Sequence, residues 1–480
     1  SQGTRMLLRS ARGRRHGVRP LACSVLMALL ACATVHAETM DEKLPQAPEP
    51  TIVDLLTICN DALLYNPSYA AARAQFDAAQ EAVPLARGKL LPQLAARAQY
   101  DWAHEKTEGN FYAVTDISVS DTFTRQLYGA QLTQALYRPE LWLGLSKAEL
   151  QQRQSVFGLD AAQDALLVGI AEAYFGVLAA QEAQTFARAQ QQTLFQQLEY
   201  IRSRTDAGLA TEADLKAAQA AYELSVADAS AADNTLIAAQ ITLGSLTGKQ
   251  YKSLKRLPDE IALLPPQPLD EQIWIQRART QNPALLAARA SVEIASIDRR
   301  VAQRGHYPKV DIVGTAYLLD NGGGITGERE EEDSRIGAQL NLPLFTGGQI
   351  SAAVRGASAL EDKATAEAEA ISARVIRETR IAYLNTSAGL QRVLALKRAV
   401  EATIEAEAAA RAGYDAGTRT NADVLTAIDK RYESEANFAA ARYKFLVNSL
   451  QLKQLSGNLL TADLAQINRL LQEPLAATRR

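Results

Sequence analysis

Apolar residues recur along this chain with two different periods, and the switches between them mark its elements. In QLAARAQYDW, Leu94, Ala96, Ala98, Tyr100 and Trp102 fall on one side, with Gln93, Arg97, Gln99 and Asp101 on the other. In RIGAQLNLPL, Ile336, Ala338, Leu340, Leu342 and Leu344 oppose Arg335, Gln339 and Asn341. Such alternation predicts strands with one apolar face. KVDIVGTAYL from Lys309 and QLYGAQLTQAL from Gln126 alternate less cleanly. Each segment is about ten residues long, the length with which a tilted strand crosses a bilayer. Between the paired strands, HEKTEGNFYAVTDISVSD and DNGGGITGEREEED are polar and rich in turn formers, and both are expected to be surface loops.

After each strand pair the pattern turns helical, without proline, from about Leu141 to Arg204 and from about Gly348 to Asp415. At about 1.5 Å per residue the first would extend about 96 Å, more than a globular domain needs. The next helix carries a three-four stripe of Leu425, Ile428, Tyr432, Ala436, Ala439, Tyr443, Leu446 and Leu450, read as a packing seam.

The order of elements occurs twice. NPSYAAARAQFDAA at Asn66 answers NPALLAARASVEIA at Asn282, GAQL recurs at Gly129 and Gly337, and LTG at Leu246 answers LSG at Leu455. This steady spacing means a duplicated unit of about 210 residues. The expected organisation is a signal peptide over 1–37, an extension over 38–53, a first repeat over 54–248, a connector over 249–269, a second repeat over 270–457 and an appendage over 458–480.

Composition sharpens this picture. Of the 480 residues 47% are hydrophobic but only 6% aromatic, with alanine supplying much of the difference, which suits long helices packed through small side chains. The six arginines up to Arg19, the apolar run LACSVLMALLACATV and the VHA before Glu38 read as an export signal. Its removal leaves 45 Lys plus Arg against 54 Asp plus Glu, about −9, which argues against a nucleic-acid partner. Only Cys59 would then remain, so no internal disulfide can form. LLAC ending at Cys32 fits a lipidation site poorly, and Cys32 is not expected to be lipidated. An exported chain with amphipathic strands and no apolar helix in its mature part belongs in an outer membrane, in contact with its lipid.

Four such strands cannot stand alone in lipid, because both edges would expose unpaired backbone groups. Two chains would give eight strands around a filled interior, and three give twelve and begin to leave a lumen.

The most specific repeat is a turn. TDAGLATEADL around Gly208 matches YDAGTRTNADVL around Gly417, with Asp, Ala, Gly, Thr, Ala and Asp identical 209 residues apart. Gly208 and Gly417 are expected to end one helix in the left-handed conformation. Thr211 and Thr420 then cap the next, with Asp214 and Asp423 at the third helical position as an acidic capping box.

Other chemistry is scarce. His104 and His306 lie near strand ends without Cys or acidic neighbours at metal spacing, so no metal site or catalytic set is expected. GxGxxG over Gly322 to Gly327 runs into EREEED rather than an apolar helix, so no dinucleotide cofactor is expected.

From about Asp54 to Leu471 the chain resembles the TolC outer-membrane efflux proteins. The resemblance is carried by LPQL entering the first strand, LPLFTGG leaving the last, and the run from Gly413 to Gly457. It implies a mainly α fold with a membrane β part: two tandem repeats of long helices and strand pairs, assembling as a trimeric 12-stranded β-barrel continued by an α-helical barrel. The full GTRTxxDVL turn and the poor lipidation signal look most like members serving type I secretion. That resemblance implies a passive exit duct, the homotrimer taking toxin-like proteins and drugs from an inner-membrane ABC transporter through a periplasmic adaptor. A channel for a proton-driven drug or metal pump is the alternative reading, and a wholly periplasmic coiled-coil scaffold a distant one.

The resemblance also assigns residues. Tyr414, Arg419 and Asp423, with Asp214 in the first repeat, correspond to the periplasmic gate, where interchain bonds and an Asp ring close the entrance. Thr426 stands where a second Asp ring is often found. The turns at Asp206, Gly208, Asp415 and Gly417 correspond to the adaptor-docking points.

Overall fold

The computed structural model describes residues 52–472 apart from 112–113, 259–260, 262 and 325–326. The expected signal peptide with Cys23 and Cys32, most of the 38–53 extension and the chain beyond 472 lie outside the described residues.

The first half runs through α1 (Leu55–Tyr65), α2 (Pro67–Gln80), α3 (Ala82–Gly88), β1 (Gln93–Phe111), β2 (Val114–Tyr137), α4 (Pro139–Asp206) and α5 (Glu212–Thr247). The second half repeats the plan with α6 (Glu271–Gln281), α7 (Pro283–Gln303), β3 (Lys309–Gly322), β4 (Glu328–Asn341), α8 (Gln349–Asp415) and α9 (Asn421–Leu455), and α10 (Thr461–Leu470) follows. The duplication holds at the level of single hydrogen bonds. Asn66 and Asn282, both buried, cap α2 and α7 through their Oδ1 atoms, ahead of a proline at the first helical turn. Each uses its Nδ2 to hold the last turn of a hairpin helix, Asn66 at Leu246 O (3.0 Å) and Asn282 at Leu455 O (2.9 Å).

The four strands form one antiparallel sheet in the order β1-β2-β3-β4. Its apolar face is bare: Leu94, Tyr100 and Trp102 on β1, Tyr128 on β2, and Ile336 and Leu340 on β4 are exposed, Trp102 to 78% and Ile336 to 79%. The ladder sets Leu94 opposite Leu132, Leu132 opposite Gly314 and Gly314 opposite Ile336. From that row the apolar band runs toward Trp102 on β1 but toward Leu340 on β4. A band that slants across its own ladder is what tilted strands in a level membrane require.

Two expectations change here. The segments taken for loops are largely strand: β1 continues to Phe111, β2 begins at Val114, and the acidic run lies in β4. Outside lipid a polar hairpin still satisfies its backbone through its own ladder. The charges along it also neutralise one another at two-residue spacing on one face, as Lys106 with Glu108 (2.7 Å), Arg329 with Glu331 (2.8 Å) and Arg335 with Asp333 (2.5 Å). In addition, α4 contains an 18-residue window apolar enough by length and composition to cross a membrane, where no such helix was expected. Half of that window is buried in the chain's own core, where its apolar content is used.

That core joins α1, the middle of α4, the end of α5, the connector, α9 and α10. Phe175 of α4 stacks on Tyr443 of α9 at 5.8 Å, and Tyr174 donates to Lys255 O of the connector at 2.7 Å. The α9 stripe is buried as expected, Ala436 only partly. Where sheet becomes helix, Arg138 Nε donates to Asp311 Oδ1 at 2.7 Å and Lys309 pairs with Glu140 at 2.8 Å, so β3 holds the start of α4.

At about 1.5 Å per residue, α4 carries its far end about 102 Å from the sheet. Substituting Leu340→Arg on the bare face should cost about 2–4 kcal/mol of folding stability in vesicles. Its neighbour Gln339→Arg, on the other face, should cost little. Urea titration of protein refolded into lipid vesicles checks both.

Candidate functional site

The two helical hairpins end, far from the sheet, in the repeated turn. Gly208 and Gly417 adopt φ of 73° and 74°, which L residues rarely accept. Leu209 N donates to Arg204 O at 2.7 Å and Thr418 N to Gly413 O at 2.8 Å, closing both turns in the same six-to-one pattern. Each capping box is complete. Asp214 N donates to Thr211 Oγ1 (3.1 Å) and Asp423 N to Thr420 Oγ1 (3.2 Å), while the two carboxylates accept from the threonine backbones and hydroxyls. Backbone and hydroxyl donors of Thr420, with Arg419 nearby, hold the Asp423 carboxyl below its ordinary value.

Tyr414 is half-buried and belongs to two apolar clusters, one with Leu194, Val424 and Ile428, the other with Ile201 and Ala218. Burial pushes its hydroxyl pKa up. Arg419 lays its aliphatic stem against Gly413. Thr426, where a second acidic ring was noted as missing, turns its hydroxyl back to Ala422 O at 2.8 Å. Asp206 ends α4 and is exposed. Asp415 accepts a hydrogen bond from Tyr200 at 2.6 Å.

The predicted residues therefore share one end of the molecule, in two groups. Asp214 and Asp423 serve their own turns, whereas Tyr414 and Asp415 reach across to α4. The residues they meet there, Tyr200 and Arg204, were not found from the sequence, nor was a buried polar link beside them. In that link Gln197 donates to Asn421 Oδ1 (3.0 Å), and Asn421 donates to Asp214 O (3.2 Å). Repetition could not reveal these side chains, because their counterparts 209 residues on are Ala406, Ala409 and Gly413. The available signal was spacing: Gln197, Tyr200 and Arg204 stand at three-four intervals on one face of α4.

No group of three or more His, Cys, Asp or Glu among the described residues could hold a metal. Gly322 closes β3, Gly324 N donates to Asp121 at 2.7 Å, and β4 begins at Glu328, so the GxGxxG run lies between two strands rather than between a strand and a helix as a phosphate loop would.

The model of the outer membrane efflux protein family matches residues 58–249 and 274–458, nearly the whole described chain in two segments. The chain belongs to that family. The outer membrane protein TolC of Vibrio cholerae is 32% identical over 424 residues, covering 86% of this chain and 93% of the relative. The alkaline protease secretion protein AprF of Pseudomonas aeruginosa is 26% identical over 410 residues, covering 84% of this chain and 84% of the relative. Among solved structures, the outer membrane protein VceC of Vibrio cholerae has the same fold, with a TM-score of 0.69 at 20% identity over 84% of this chain and 96% of that one. The family consists of outer-membrane channels rather than enzymes, and the protein is an outer-membrane channel of this kind, with its helices on the periplasmic side.

Thr420→Ala, which removes the α9 cap, should cost about 1 kcal/mol of local stability. Amide exchange of residues 421–424 reads this. A carboxyl whose folded pKa is depressed contributes fully above its unfolded value, about 3.9 for Asp, and loses that contribution as pH falls through the lower folded value. Exchange protection at the second turn should thus be flat from neutrality to about pH 4 and decline below it.

Proposed function

We propose that three copies close a twelve-stranded barrel and a helical tunnel that serves as a passive exit duct. One observation carries this reading: a sheet whose bare apolar face belongs in lipid has two unpaired edges, β1 and β4. Each unpaired group left in hydrocarbon costs several kcal/mol, so the edges need strands from further copies. The helices point the same way, since the outer flanks expose apolar residues, Ile237 and Ile241 on α5 and Ile381, Leu384 and Leu394 on α8.

The duct takes cargo from an inner-membrane ABC transporter through a periplasmic adaptor, in type I protein secretion and in drug efflux. Similarity to AprF supports secretion, and the family as a whole supports efflux. Energy comes from the transporter. The adaptor docks at the turns of Asp206, Gly208, Asp415 and Gly417, which present backbone and small side chains at the free ends of the hairpins. Tyr414, Arg419, Asp423 and Asp214 narrow the entrance, where a threefold axis gathers three copies of each.

Protein purified in detergent should have the mass of three chains, and a stable monomer as the sole folded species would refute the closure argument. Three Asp423 carboxylates in a narrow ring should favour cations. In planar bilayers Asp423→Asn should abolish most of that preference and the block by multivalent cations. If both survive the substitution, Asp423 is a capping residue only.

A further inference from the structure

The α8/α9 hairpin carries a band without acidic residues. From Thr379 to Val400 α8 holds four basic side chains and no acidic one, and from Ala436 to Gly457 the later part of α9 and its end hold three and none. In a chain of formal net charge −3 this is a local reversal of sign. Three of these basic groups are paired: Arg380 with Glu271 (2.6 Å), Arg442 with Glu182 (3.0 Å) and Lys453 with Asp463 (2.6 Å). Arg392 and Lys444 are exposed and hold no ion pair or hydrogen bond among the described residues.

These two cations line one groove between α8 and α9, a cavity of about 440 Å³. The carboxamides of Asn385, Asn437 and Asn448 share the lining and offer further N–H donors, and the Phe445 ring supplies an apolar wall. The rest of the lining is glycine and alanine, which leaves the space open, and no carboxylate takes part. The volume lies within the range of about 300–1,000 Å³ common to small-molecule sites.

The winding of α9 decides where the groove faces. At about 3.6 residues per turn, Asn437, Lys444 and Asn448 lie on the face opposite Arg442, Tyr443 and Leu446. Arg442 reaches Pro258 O of the connector at 3.1 Å, and Tyr443 and Leu446 belong to the core that includes α1, the connector and α10. The groove therefore opens on the side of the helical layer away from those added elements. Twelve helices spaced by about 10 Å enclose a bore about 28 Å wide, which three copies of α1, α10 and the connector would fill. In an open duct the added elements stand outside, and the groove faces the lumen. Lys444 follows Asp423 by 21 residues, about 32 Å of helix.

We propose that this groove is a binding station inside the duct for small organic anions, with a phosphate, sulfonate or carboxylate group between Arg392 and Lys444 and an apolar body against Phe445. The proposal rests on the duct reading for its place in a lumen. Guanidinium and ammonium donors make charge-assisted bonds to such a group, and the ring receives the body, so neither bare phosphate nor a neutral aromatic satisfies both halves. The paired cations of three copies at one level also gather anions beyond an entrance whose Asp423 ring repels them.

Equilibrium dialysis of the full chain in detergent, with 1-naphthyl phosphate as probe and protein-free micelles subtracted, tests the site. Wild type should bind one probe per chain, about tenfold more tightly than 1-naphthol or inorganic phosphate. Arg392→Gln and Lys444→Gln should each weaken binding about tenfold, Lys444→Arg should stay within about threefold, and Arg398→Gln, outside the groove, should match wild type. In planar bilayers under a KCl gradient, the double variant Arg392→Gln/Lys444→Gln should raise the cation preference about twofold, because positive charge leaves the lumen. A conducting wild type that binds the probe no better than 1-naphthol or phosphate, substitutions that leave binding intact, or an unchanged ion preference would each overturn the station. A chain that binds the probe but forms no pore would instead refute the duct reading, and with it the place of the site in a lumen.

Discussion

Lipid has no hydrogen-bond partner to offer a strand edge, and the rest of this architecture follows from that fact. The sheet has four strands, an apolar face turned outward and two edges without partners. Its slanting apolar band already carries the strand tilt that a closed barrel needs. The strands run well past the membrane because their outer halves meet no such constraint. There a hairpin lined with alternating charges is stable in water, and its glycine-rich turn is tied back to β2 through Asp121.

Below the membrane the problem is to carry the geometry of the sheet along helices of about 100 Å without a globular core. The chain does this with a few fixed points. Arg138 and Asp311 join sheet to helix, and one apolar core gathers the N-terminal helix, the connector and α10 around the middle of α4. Beneath it the buried Glu182 carboxylate holds Arg442 at 3.0 Å, and Arg442 reaches Pro258 O of the connector at 3.1 Å. Beyond these points the hairpins meet through a second, smaller apolar cluster, in which Leu194 of α4 packs with Val424, Ile428 and Tyr432 of α9. The free ends are tied by individual polar bonds.

The duplicated plan and its exceptions divide the labour. Features that only have to build a helix end occur twice, as with Asn66 and Asn282, or Thr211 with Asp214 and Thr420 with Asp423. Features that join one hairpin to the other occur once, because a joint needs unlike partners. Tyr200 and Arg204 meet Tyr414 and Asp415, and Gln197 meets Asn421. Reading by repetition therefore found the turns and passed over the joints.

Local rules were legible in the residue order, since a helix cap, a left-handed glycine or a two-residue alternation is decided within a few neighbours. The long helices lie within two residues of their expected bounds, both capping boxes form as written, and the α9 stripe is core. Whether polar hairpins end at the membrane or continue as strand was not decided locally, because β-pairing depends on a partner many residues away. Likewise the apolar window of α4 reads equally well as a membrane span until the fold covers it with α1 and α9. The pairing of Tyr200 with Asp415, 215 residues apart, exists only because two long helices end at the same level. The sequence alone determined the long helices and the residues at their ends; the tertiary structure decided how far the strands run and which ends meet, because both depend on partners many residues away and on the packing of everything between them.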